Sequence, residues 1–110
     1  MRFAIALVVL VCAAGPATAA SLTLKVDRVF HVRSYIHVII RATNDASRTV
    51  NRAEIECSAF DAQKQALGVA GTYPKQIAAG QTIAAEIMID APPDAPESGL
   101  QAECRVVSVE

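Results

Sequence analysis

Residues 35–44, Tyr-Ile-His-Val-Ile-Ile-Arg-Ala-Thr-Asn, decide the fold class. Ile36, Val38, Ile40 and Ala42 share one phase, while Tyr35, His37, Ile39 and Arg41 share the other. Successive side chains of a strand point to opposite faces, so this spacing predicts a strand with one buried face. The run that follows, Asn44-Asp45-Ala46-Ser47, is turn chemistry, because short polar side chains satisfy nearby backbone donors.

The same period extends in both directions. Upstream, in residues 21–32, Leu22, Leu24 and Val26 alternate with Thr23, Lys25 and Asp27. The phase changes after Asp27-Arg28, which fits a bulge or bend before Val29. Downstream, residues 50–61 put Ala53, Ile55, Cys57 and Ala59 inward, with Glu54, Glu56 and Ser58 outward. Residues 67–73 read as a short strand weakened by Gly68 and Gly71, and Ala79-Gly80-Gln81 as a turn. Thr82–Asp90 turns Ile83, Ala85, Ile87 and Ile89 inward. Three prolines in residues 91–99 exclude a central strand or helix there. Residues 100–109 form the last strand, with Ala102 and Cys104 inward. A helix of two turns over residues 61–70 competes with this pattern, but it lacks a cap at its end and would sit between two strands. Six or seven short strands separated by turns predict an all-β, Ig-like sandwich in one domain, residues 20–110.

The amino terminus has a different character. Met1-Arg2 is followed by an apolar run over residues 3–14, a Gly15-Pro16 break and Ala17-Thr18-Ala19. This is the three-part secretory signal, and it is shorter than the roughly 20 residues of a spanning helix. Cleavage is expected after Ala19, with Ala20 the nearest alternative, giving a periplasmic or secreted product. Cys12 leaves with the peptide, since Val11 before it is too bulky for a lipid-attachment signal. No later apolar stretch is long enough to serve as a transmembrane segment. Without residues 1–19 the hydrophobic share falls from 53% to 47%, an ordinary globular value.

Two cysteines then remain, Cys57 and Cys104, both on the inward phase of their strands. An even count in an exported chain favours a disulfide between them.

The formal net charge of −1 excludes a general electrostatic attraction to nucleic acid or anionic membrane. With no Trp and only 5% aromatics, no stacking platform for bases or sugars is expected. The five glycines are scattered, so neither a phosphate loop nor a dinucleotide fingerprint is present, and no cofactor is expected. No spacing sets a base beside a nucleophile, so no catalytic residue is assigned and the chain is not expected to be an enzyme.

Four groups of side chains have a functional reading beside a plainer one. His31 and His37 are candidate metal ligands with Asp27 or the cysteines, yet six residues across a turn is not a recognised ligand spacing. The plainer reading puts both rings on the polar faces of neighbouring strands. Arg33, Arg41, Arg48 and Arg52 form a basic patch for an acidic partner, or keep edges and loops soluble. Glu54 and Glu56 are an acid–base pair only if one is desolvated, and otherwise line a solvated face. Tyr35, Ile39 and Tyr73 are interface anchors if exposed, and ordinary sheet packing if not.

The order of elements resembles the FxLYD domains, small bacterial extracytoplasmic modules, and related Ig-like sandwiches. Val38-Ile39-Ile40-Arg41-Ala42-Thr43-Asn44 matches their strand of alternating apolar residues ending in Asn. Cys57-Ser58-Ala59-Phe60-Asp61 stands where their aromatic-Asp signature lies, and Ala79-Gly80-Gln81 where a Pro-Gly-Gln-like turn lies. Cys57 replaces the leading Phe, Ala59 the Leu and Phe60 the Tyr, and Gly is missing after Asp61. The resemblance covers residues 32–106 and implies a fold and a location without a shared catalytic site. The expected function is a non-enzymatic binding or accessory module of the bacterial cell envelope, with an envelope protein or surface partner of unknown identity. The alternative is a periplasmic metal-binding protein using His31 and His37.

Overall fold

The computed structural model describes residues 22–110, and the signal peptide expected at residues 1–19 lies outside them. Seven strands follow in order: β1 (Leu22–Val32), β2 (Tyr35–Asn44), β3 (Val50–Phe60), β4 (Ala66–Thr72), β5 (Lys75–Ile77), β6 (Thr82–Asp90) and β7 (Gln101–Val109). There is no helix among the described residues. One antiparallel sheet has the order β1-β2-β6. In the other, β3 is central, with β7 along one side and β4 and β5 end to end along the other. The two sheets pack face to face as a β-sandwich, the expected fold class.

The inward phases meet in one core. Ile36, Val38 and Ile40 of β2 close against Ile55, Cys57 and Ala59 of β3 and Ile87 and Ile89 of β6, each at most 1% exposed. Gly68 shows how closely the layers approach. A Cβ there would lie 2.6 Å from Cγ2 of Ile89, so a side chain at 68 would displace the facing sheet.

β1 carries the expected bulge. Val26 pairs with Ile40 and Arg28 with Ile39, which leaves Asp27 as the extra residue. From Arg28 onward the phase is reversed, so Val29 and His31 turn inward while Phe30 and Val32 turn outward. Placing both histidines on polar faces therefore fails for His31. Its side chain is 6% exposed, opposite Ile36 on the core side of the sheet.

The helix considered for residues 61–70 is replaced by a turn and β4. Oδ1 of Asp61 accepts the backbone N–H groups of Gln63 and Gln65, which closes the turn and lets the chain double back. Residues 74–80, which end in the expected turn, also include the three-residue β5. Its Lys75 and Ile77 pair with Arg52 and Val50, and Pro74 separates it from β4.

Asn44 is more than a turn former. It is fully buried, and its Nδ2 donates to the carbonyls of Arg48 and Ile77 at 2.8 and 2.9 Å. Its Oδ1 accepts from the N–H of Ala46 at 2.9 Å. One side chain thus ties the end of β2 to the next loop and to β5.

Candidate interaction surface

Register assembles the outer face of the β1-β2-β6 sheet into rows. Arg28, Ile39 and Glu86 form one row, Phe30, His37 and Met88 the next, and Val32, Tyr35 and Asp90 the third. The apolar part is Phe30, Val32, Tyr35, Ile39 and Met88 around His37. Val32, Tyr35 and Met88 are 46%, 39% and 47% exposed. Three strands by three rows span about 14 by 20 Å, with apolar side chains at five of the nine positions, a contiguous exposed cluster rather than scattered single residues.

The side chains here are held in place. The rings of Phe30 and His37 stack at 4.8 Å with 3° between their planes, and Tyr35 meets His37 edge-on at 6.5 Å. The Arg28 guanidinium lies 4.7 Å from the centre of the Phe30 ring. Nδ1 of His37 is 2.6 Å from Oε2 of Glu86. A carboxylate only accepts, so the imidazole proton sits on Nδ1 and the ring plane is fixed. Fixed aromatic side chains lose little entropy on contact with a partner, which is what anchors an interface.

Beside this patch, Arg41 makes a two-point contact with the bulged Asp27, Nε to Oδ2 at 2.7 Å and Nη2 to Oδ1 at 3.1 Å. These hydrogen bonds outweigh a desolvation cost and, with attraction to Arg41 and Lys25, hold the Asp27 carboxyl below its ordinary value. The same contact raises Arg41.

The other sequence candidates are dispersed. His31 and His37 lie on opposite faces of one sheet, so a metal site using both is not assembled. Both ring nitrogens of His31 face backbone carbonyls, Nδ1 to Pro96 at 3.1 Å and Nε2 to Arg33 at 2.8 Å. Glu97 Oε2 also lies 3.2 Å from Nδ1, so the ring is enclosed by groups of the chain itself and clips the 91–99 loop to the β1–β2 turn. Among the described residues, no group of three or more His, Cys, Asp or Glu side chains is placed to hold a metal ion.

The four arginines lie on four segments. Arg33 precedes β2 and Arg48 follows it, separated by a ten-residue strand of roughly 33 Å. Arg52 instead lies 5.4 Å from the Tyr73 ring on the second sheet, away from Tyr35 and Ile39. Glu56 is ion-paired with Arg105 at 2.8 Å, beside a shallow hollow of about 140 Å³ shared with Ser58 and Glu103. That pairing fits the solvated-face reading of Glu54 and Glu56.

Sequence reasoning singled out Tyr35, His37 and Ile39 but not Phe30, Met88 or Glu86. The available signal was an apolar residue on the solvent phase, Met88 between Glu86 and Asp90. No protein-family model, curated protein or solved structure matches the chain.

Proposed function

We propose that the chain is an exported, non-enzymatic binding or accessory module of the bacterial cell envelope. The observation that carries this reading is the exposed apolar and aromatic face around His37, built on rigid strands and held by its own stacking and hydrogen bonds. An apolar patch on the outside of a sheet has no role in the core beneath it, and contact with a partner gives it one. The secretory pattern of residues 1–19 and the resemblance to FxLYD domains support the envelope location. A covalent staple within a small domain suits a compartment where thiols stay oxidised.

Two measurements test the reading. Intact mass of the exported product is expected to lack residues 1–19, and retention of Met1 in that product would refute export by cleavage. Site-specific photo-crosslinking from position 35 in intact cells is expected to yield an adduct that Met88→Glu abolishes. An adduct pattern unchanged by Met88→Glu would remove this face from the function.

A further inference from the structure

We infer that the occupant of this face is a second copy of the same chain, packed sheet to sheet about a two-fold axis parallel to β2. The inference rests on the binding-module reading and names its partner. Charge is distributed unevenly across the face. The outer phase of β1 carries the cations Lys25 and Arg28, and that of β6 carries the anions Glu86 and Asp90. Rotation about an axis along β2 keeps each row opposite itself and exchanges the two edges.

Under that operation Arg28 of each copy meets Glu86 of the other, Phe30 meets Met88, and Val32 meets Asp90 at the solvent-open end of the face, with His37 and Ile39 near the axis. Such an isologous contact uses the Arg28–Glu86 pair twice. Rotation about an axis across the strands would instead set Glu86 of one copy against Asp90 of the other, like charge on like. The next row is not an obstacle, because Arg41 is neutralised by Asp27 of its own chain. Aligned packing of two twisted sheets turns them by about 30°, a displacement that long side chains such as Arg span. The face is smaller than the roughly 800 Å² per partner of a standard interface, so the association is weak and concentration-dependent.

Sedimentation equilibrium of the chain expressed for export, its disulfide oxidised, tests this from micromolar to millimolar concentration. The expected result is a reversible monomer–dimer equilibrium. Arg28→Glu and Glu86→Arg each place like charges together twice and weaken the dimer by roughly tenfold or more. Mixed together, the two variants regain association. The introduced carboxylate of one chain then meets the introduced guanidinium of the other, and the retained Arg28 meets the retained Glu86. Arg28 is exposed, and far-UV circular dichroism of both variants establishes that they fold. A chain that stays monomeric at millimolar concentration overturns the inference. So does a dimer insensitive to both charge reversals, which would point to pairing along the open edge of β7. A monomer that still gives a face-dependent cross-link in cells would refute the second copy alone and leave the binding module standing.

Discussion

Cys57 and Cys104 are register partners on adjacent strands, their Cα atoms 4.0 Å apart, so their disulfide joins β3 to β7 within one sheet. The two layers of the sandwich share no covalent cross-link and are held to each other by core packing and by the buried Asn44–Ile77 hydrogen bond. The bond fastens an edge strand whose inward residues, Ala102, Cys104 and Val106, are only half-buried and contribute correspondingly less hydrophobic stabilisation.

Removing the bridge in a Cys57→Ala/Cys104→Ala variant is therefore expected to destabilise the domain by about 4 kcal/mol, on the chain-entropy account of a loop closed between residues 47 apart in sequence. Chemical denaturation measures the loss. Hydrogen exchange should place it first in β7, with β1 and β2 least affected. Two reactive thiols in the unfolded, non-reduced chain would mean that the bond does not form.

Ile40→Ala is expected to cost about 2–5 kcal/mol, through lost burial and the cavity left behind. Ile39→Ala, on the half-exposed outer face, should cost clearly less. Equal losses in denaturant titrations would contradict the register of β2.

Asn44→Ala removes three hydrogen bonds at once and strands the buried carbonyl of Ile77. A loss of about 2–4 kcal/mol is expected, most of it from the unsatisfied backbone groups. Faster hydrogen exchange at Ala46 would accompany it. Near-wild-type stability would show that water replaces the side chain.

The alternation of β2 and β6 and the bulge in β1 were legible because each depends on local phase. The second sheet was less so: β5 is three residues long beside a proline, too short to display a period. Which strands share a sheet leaves no local mark, and the outer rows exist only once register is known. His31 shows the limit most clearly. The phase change at Asp27 is visible in the sequence, but it turns a ring four residues later inward only because β1 runs on unbroken to Val32.

Asp27→Asn tests the bulge through pH. Because the folded carboxyl is held below its ordinary 3.8, its contribution is complete above that value and is lost as pH falls through the lower folded value. Wild type should thus exceed Asp27→Asn in stability at neutral pH, with the gap closing only below pH 3.8. Thermal melts of both chains across that range check the sign. A gap that widened on acidification would exclude the Asp27–Arg41 contact as its source.

The central place of β3 has a kinetic consequence. β1 and β2 are joined by a two-residue turn, so their hairpin can close within about 1–10 μs. Residues 53–60 of β3, by contrast, complete their pairing only when β7 returns across some forty intervening residues. Such distant closures are the slow events of β-folds. Until then the hairpin presents Leu24, Val26, Ile36, Val38 and Ile40 without their covering layer. In that interval the exposed apolar face is an aggregation hazard, and the window closes only when β7 docks and its cysteine meets Cys57.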